Sequence, residues 1–568
     1  MSSATPQRPG PGRRPLPEPR KRPGRRLPLA GALRLGRPSD IWFKPALSVI
    51  AAVAPPNLLL LALGRLDLAV YTMAGSLCAL YAHNRPYAAR ARVLALVVLG
   101  MTSGLAVALL AASLTASPVI LVTVGALLAA AQKAVCDATR LGPPGNVVLT
   151  FISSASLFVP QTLGQVPGHL GLALAAGGWA WLVGMAPAPV RPHGPERRAT
   201  AHALNAAAAR VDAHTVDEGE DRARAAAAAA VHAAWQTLLS APAGENRRAL
   251  ERLVVRAEIA LAAPADTDPA RLRDWARELR GTAPVPRPAD LADDDELLGV
   301  DIELAADRTP LRHRLGSLAP LAARTALGCA LAGYASLALG VGRPYWALVT
   351  AASLYQANVT LTWSRAVQRV VGNIVGVLAF AALVPLAHLA QAALVLVCLA
   401  LNFGAEALIS RNYWLGTVCV TPMALLITEF AQLQDPGRLM AERLVDTLVG
   451  AAVGFAAAVA VTNRRAGDRL EGALTAVEQA REHAARLVAE PRPAPGAVDA
   501  ARRALAAALV DLRATADAAA GEWWQRALPQ ERVVTAEQSG HRTLATTVRR
   551  QGLLLDRDAN GRAEDVRR

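Results

Sequence analysis

Two ionisable residues stand inside stretches apolar enough to cross a bilayer. Glu406 closes the run Leu401-Asn402-Phe403-Gly404-Ala405-Glu406, and Arg324 lies within another such run. An ionised group at bilayer depth costs about 2.5–3.5 kcal/mol even on the gentlest scales, so both are functional candidates by default. Glu406 reads as a proton-coupling carboxylate or a partner for a buried arginine, and equally as a helix-end residue reaching water. Arg324 reads as a fixed cation whose planar fork binds a carboxylate through two hydrogen bonds, or as a side chain snorkelling to the interface. Asn402, Asn373, Gln356 and Asn358 would line a hydrated path or hydrogen-bond between helices. Tyr345-Trp346, after Arg343-Pro344, would anchor the outer interface or form a stacking surface at a pore mouth. Glu429 and Asp67 fall near the outer surface, where water would solvate them. Three GxxxG pairs, Gly100/Gly104, Gly372/Gly376 and Gly450/Gly454, mark faces where helix backbones can approach closely.

Other chemistries find no footing. The sequence holds no GxxxxGK[ST], GxSxG, HExxH or CxxC, so neither an ATPase nor an embedded enzyme is expected. The five cysteines all fall in apolar runs, without clustered histidines. They read as small apolar groups, with no metal or other cofactor expected. Uphill transport would then draw on a proton gradient or a partner protein.

The elements that position these residues are read from hydropathy. Of 568 residues, 53% are hydrophobic and only 4% aromatic, and the mean hydropathy is positive. The apolar residues cluster in runs of about 15 to 22, the length that crosses a hydrocarbon core of about 30 Å. The spacing predicts spans at 45–63, 68–83, 93–113, 118–136, 145–160 and 168–186, the first interrupted by Pro55-Pro56. A second set lies at 317–339, 344–359, 368–387, 390–409, 412–430 and 443–462, stopped by Asn463-Arg464-Arg465. The fold class is thus all-α and polytopic, with about twelve membrane helices in two halves. The predicted divisions are a disordered basic cytosolic tail (1–44), a first membrane half (45–187), a helical cytosolic region (188–315), a second membrane half (316–462) and a helical cytosolic tail (463–568). Ala-rich charged runs at 201–213 and 221–239 suggest the cytosolic helices, with breaks at Gly244-Glu245-Asn246, Pro284–Pro288, Pro491–Pro495 and Pro529.

An internal duplication is visible. MAGSL at 73–77 resembles TAASL at 350–354, and the third span of each half carries a GxxxG. Parallel repeats of this kind build transporters.

Charge supplies the orientation. The net charge of +15 suggests nucleic-acid binding until it is located: the tail to Lys44 alone carries eleven Arg or Lys against Glu18 and Asp40. A basic arm beside a span fixes orientation and touches anionic lipid. Arg85, Arg90, Arg92, Lys133 and Arg140 fall in or near even loops of the first half, and Arg365, Arg369 and Arg411 in those of the second. The alternation places both termini and both soluble regions in the cytoplasm of a bacterial inner membrane.

The segment from Arg343-Pro344-Tyr345-Trp346 through Thr350, then Trp363-Ser364-Arg365 through Gly376, resembles the fusaric-acid-resistance-like (FUSC) family, related to bacterial aromatic carboxylic acid exporters. That pattern has an aromatic pair opening one helix, a Thr one turn on, and R-x-x-x-R-x-x-G-T-x-x-G opening the next. Tyr345, Trp346, Thr350, Arg365, Arg369, Gly372 and Gly376 match it, Arg324 matches an Arg of the preceding helix, and Asn373 replaces the usual Thr. The match covers about 320–465, and the first half follows by architecture alone. The resemblance implies efflux of small organic anions, aromatic carboxylates above all, with Arg324, Tyr345, Trp346, Thr350, Arg365, Arg369, Asn402 and Glu406 as candidates for the substrate path. The expected partners are the lipid bilayer, the anion and a second copy of the chain. The competing expectation is a non-transporting scaffold whose cytosolic helices bind a partner. A polar cavity between the spans would favour transport, and a packed apolar bundle would favour the scaffold.

Overall fold

The computed structural model describes residues 31–36, 42–216, 219–281, 283–286, 311–356, 358–430, 432–461, 466–494, 496–520 and 529–550. Most of the basic tail, residues 287–288, Asn463-Arg464-Arg465 and the Trp523-Trp524 pair lie outside them. The described residues are helical throughout, with no strand.

Eight helices have the length and apolarity of membrane spans, and four shorter apolar helices lie among them. In the first half these are α1 (Phe43–Ala62), α2 (Leu66–Leu80), α3 (Tyr87–Leu114), α4 (Pro118–Ala138), α5 (Val147–Ser156) and α6 (Leu163–Met185). Four extramembrane helices follow: α7 (Gly194–Val216), α8 (Glu220–Leu239), α9 (Glu245–Ala262) and α10 (Pro269–Arg280). The second half comprises α11 (Leu311–Ala338), α12 (Tyr345–Leu354), α13 (Val359–Ala387), α14 (Gln391–Ile409), α15 (Tyr413–Thr428) and α16 (Pro436–Ala460). The chain ends in α17 (Ala466–Ala489), α18 (Ala497–Ala520) and α19 (Gln530–Arg550).

The second and fifth helices are the short ones in both halves, and the third is the longest in both. The packing repeats as well. The first helix of each half lies against the fourth of the other, α1 on α14 and α11 on α4, while α2 packs on α6 as α12 packs on α16.

Several boundaries differ from the hydropathy reading, for one physical reason. α3, α13 and α16 begin six to nine residues before their apolar runs, at Tyr87, Val359 and Pro436. Polar N-termini start the latter two: Asn358 Oδ1 accepts from the Leu361 amide at 2.8 Å, and Asp435 accepts from the Gly437 and Arg438 amides. The basic residues expected in loops, Arg90, Arg365 and Arg369 among them, therefore ride on the first turns of long helices. Nor do Pro55 and Pro56 interrupt α1. Pro55 deprives the Ala51 carbonyl of its helical donor, and the Trp179 indole from α6 donates to that carbonyl at 2.9 Å.

The tail, expected to be disordered, is anchored at 31–36. Gln368 and Asn412 donate to the Ala32 carbonyl at 2.8 and 3.0 Å, Trp414 donates to Leu33, and the Gly36 amide donates to Arg411 O at 2.8 Å.

Outside the membrane, α7–α10 share an apolar core that includes Leu204, Trp235, Leu253 and Trp275, and α17–α19 form a second around Val477, Leu505 and Leu512. A buried ion network joins them. Glu258 accepts from the Trp235 indole at 2.6 Å and from Arg502, which also holds Asp499. These paired carboxylates hold the Arg502 guanidinium charged despite its burial.

Candidate functional site: a charged cavity between the halves

A helix of ten residues spans about 15 Å, half of the hydrocarbon core. α5 and α12 have that length. Shortness of the second and fifth helices leaves space at the centre, and a cavity of about 2100 Å³ fills it. All four short helices line it, α2 through Tyr71, α5 through Phe151, α12 through Tyr345 and α15 through Tyr413. The bundle is therefore not a packed apolar one.

Charge divides the cavity into two ends. At the end carrying the extramembrane helices, Arg85, Arg140, Arg365, Arg369 and Arg411 line the wall. None of the five has a carboxylate within ion-pair distance among the described residues. Arg365 lies over the Tyr413 ring at 4.0 Å from its centroid, and Arg369 donates to the Tyr413 hydroxyl at 3.1 Å. Each guanidinium is thus oriented without being neutralised. At the opposite end the cations are matched: Arg343 and Arg438 hold Glu442 at 2.6 and 2.8 Å, and Arg65 holds Asp67 at 3.1 Å.

Between the two ends Asn373 ties three helices together. Its Oδ1 accepts from Thr421 on α15 and from Arg443 on α16, both at 3.0 Å, and its Nδ2 donates to the Arg369 carbonyl at 2.8 Å. An amide supplies both a donor and acceptor lone pairs, so Asn at the position where the resemblance expects Thr serves as a three-way junction. Close backbone approach makes this possible: a Cβ on Gly372 or Gly376 would meet Thr417 or Thr421 at 2.7 and 2.6 Å, and one on Gly450 would meet the Ala347 carbonyl at 2.5 Å. Gly104 is similarly crowded and Gly454 less so, with Ala351 at 3.1 Å, whereas Gly100 meets nothing within 4 Å.

The residues singled out from sequence separate into two groups. Arg365, Arg369, Tyr345, Asn402 and Glu406 line the cavity. Of the carboxylates there, Asp67, Asp137 and Glu442 have cationic partners and Asp435 caps α16, while Glu406 has no hydrogen-bond or ion-pair partner among the described residues. Arg324, Trp346 and Thr350 do not reach the cavity. Arg324 lies over the Tyr355 ring and donates to the Gln356 carbonyl at 3.4 Å, bracing the extended link between α12 and α13. Trp346 is fully buried, with Arg343 and Arg443 on its ring at 5.3 and 5.1 Å, so it is neither an interfacial anchor nor a pore-mouth surface. Thr350 is wholly buried beside Gly450. Glu429, expected in water, is only 2% exposed and meets His388 Nε2 at 3.0 Å.

Sequence reasoning missed two residues. Arg443 and Asp446 on α16 are 1% and 0% exposed, with Ser336 of α11 donating to Asp446 at 2.5 Å. The hydropathy reading starts the last span at Arg443 and makes that residue its polar edge, whereas the helix begins at Pro436 and carries Arg443 two turns in. The signal that would have placed it correctly is the Asp435-Pro436 helix start.

The second half is the part with recognisable kin. Residues 330–457 match the family model described as fusaric acid resistance protein-like. A curated relative, "Uncharacterized membrane protein YvaC" of Bacillus subtilis (strain 168), is 33% identical over 141 residues, 24% of this chain and 22% of the relative. The matched stretch thus spans about a fifth of that relative's length. No solved structure matches. With its membrane-length helices and this match, the chain is a polytopic integral membrane protein.

Proposed function

We propose that the protein exports small organic anions, aromatic carboxylates foremost, from the cytoplasm of a bacterium across its inner membrane. The observation that carries this reading is the set of five arginines, unmatched by carboxylates among the described residues, in a cavity walled by four short helices. Uncompensated charge in a low-dielectric cleft raises the local concentration of its counter-ions, and a guanidinium binds a carboxylate with two parallel hydrogen bonds. Tyr71, Phe151, Phe158, Tyr345 and Tyr413 also line the cavity, with Phe158 and Tyr345 stacked at 5.8 Å. An acid with an aromatic body and one carboxylate suits both features. The arginine-rich end is the cytoplasmic one in this reading, with both termini on that side. Glu406, which lines the cavity and has no partner among the described residues, is the carboxylate that takes up and releases the coupling proton as the anion moves.

The test is export by intact cells. Cells preloaded with labelled benzoate should lose it faster when the gene is expressed, while the neutral amide benzamide should leave at the same rate with or without it. Equal benzoate loss in both strains across a panel of aromatic acids would remove the transport reading and leave the scaffold.

A further inference from the structure

The first half contributes its own charged wall, and a helix from outside the membrane completes it. α8 presents His232 and Gln236, four residues apart on one face, to the same cavity that holds Arg365 and Arg369, and Ser240 at its C-terminal cap lines the cavity beside them. The cavity is also lined there by Arg85, from the link between α2 and α3, and by Arg140, from the link between α4 and α5. These two links are tied together: Arg85 donates to the Arg140 carbonyl at 3.2 Å, and Tyr81 donates to the Gly145 carbonyl at 2.7 Å. They also hold the two non-glycine residues with left-handed backbone among the described residues, Ala82 at φ 62° and Arg140 at φ 50°. Such conformations persist where the surroundings impose them, often at ligand clamps. His232 is held neutral, its pKa lowered by burial first and by Arg140 second, against an opposing pull from Asp511. A neutral imidazole still offers one N–H to an anion.

We infer that α8 and these two links form a vestibule subsite that takes the carboxylate of the transported acid before it passes to Arg365 and Arg369. The subsite rests on the anion-export reading. Arg85 and Arg140 supply the charge, and His232 and Gln236 supply neutral donors opposite them. The cavity exceeds the usual ligand pocket of about 300–1,000 Å³, so two anions can occupy it in series. The extramembrane helices then help to choose the substrate as well as flank the bundle.

Benzoate is the probe, with full-length protein in two assays. In inverted membrane vesicles, the double variant Arg85→Gln/Arg140→Gln should raise the half-saturating benzoate concentration about tenfold, the worth of one lost charged hydrogen bond. Its maximal rate should stay near that of the parent, as for a site that loads rather than translocates. Gln236→Trp, which narrows the vestibule without touching charge, should lower the rate at every concentration. Calorimetry on purified Arg365→Gln/Arg369→Gln protein, with an unchanged gel-filtration profile, should still show one benzoate site, abolished when the Arg85 and Arg140 substitutions are added. Parent-like kinetics in the double variant, or no benzoate bound by Arg365→Gln/Arg369→Gln, would overturn the vestibule subsite while transport by the parent stands. Absence of benzoate flux in the parent would bring down both readings.

Discussion

The two membrane halves share a scaffold and differ in what they bury. Each has short second and fifth helices, a long third helix and a first helix packed on the other half's fourth. Within that common frame the first half buries a neutral chain: Gln132 donates to Ser153 at 3.0 Å, Thr150 donates to Gln132 at 2.9 Å, and Asn146 donates to Thr150 at 3.3 Å. The second half buries charge, with Arg369, Arg443 and Asp446 gathered around Asn373. In the register that aligns Gly104 with Gly376, Arg365 and Arg369 face Val93 and Val97. A duplicated bundle has thus kept its packing in both copies, with Arg90 as a buried arginine of the first half and Arg324, Arg369 and Arg443 as those of the second. The family match confined to residues 330–457 falls on that charged copy.

Substitutions that treat the halves alike should expose the difference. The largest effect is expected from Asn373→Leu, which strands the Arg443 guanidinium and the Thr421 hydroxyl in the protein interior. A hydrogen bond to a buried charged group is worth about 1.5–3 kcal/mol, so the detergent-solubilised protein should melt below the parent. Next comes Gly376→Ala. Its Cβ would lie 2.6 Å from Thr421, and overpacking of this kind costs about 1–3 kcal/mol. Gly100→Ala, in the matching motif of the first half, faces open space and should leave the melting temperature unchanged or slightly raised. Gln132→Leu, the first-half analogue of the Asn373 substitution, breaks only neutral hydrogen bonds and should cost about 0.6 kcal/mol. Equal losses in Asn373→Leu and Gln132→Leu would erase the distinction between the copies.

The last effect is negligible at neutral pH and grows only in acid. His83, in the link after α2, accepts from Arg90 at 3.2 Å, and its pKa is pushed down to about 3 by burial first and by Arg90 second. The unfolded chain binds a proton at this residue below about pH 6.5 and the folded chain does not. Stability contributed here is therefore complete above that pH and is lost as pH falls from about 6.5 towards 3. Replacing His83 with Gln should flatten the acid side of the melting-temperature profile. An unaltered profile would show that burial does not hold this imidazole neutral.

Much of the architecture was legible in the chain, because hydrophobic length and GxxxG spacing are local signals. Asn402 and Glu406 were found because a polar residue in an apolar run stands out, and Arg365 and Arg369 because they match the R-x-x-x-R spacing of the family resemblance. Arg443 and Asp446 were not, because they lie in the first four residues of the 443–462 run and look like its polar flank until Asp435 caps the true start. Trp346 and Arg324 were given the wrong surroundings for a different reason. Their spacing fixes a helix face, but what that face meets depends on helices far off in sequence, here α16 for Trp346 and the α12–α13 link for Arg324. Nothing in the composition of α8 announces that it walls the cavity, since Ala-rich amphipathic helices occur in any cytosolic bundle.

The central claim is that anion passage depends on the cations of the second half. Benzoate flux into proteoliposomes should fall about tenfold or more in Arg365→Gln/Arg369→Gln, by loss of charge-assisted hydrogen bonds, and stay at the parental rate when Val93 and Val97 are changed to Gln. Parental flux in the arginine variant, with protein incorporation unchanged, would contradict the account.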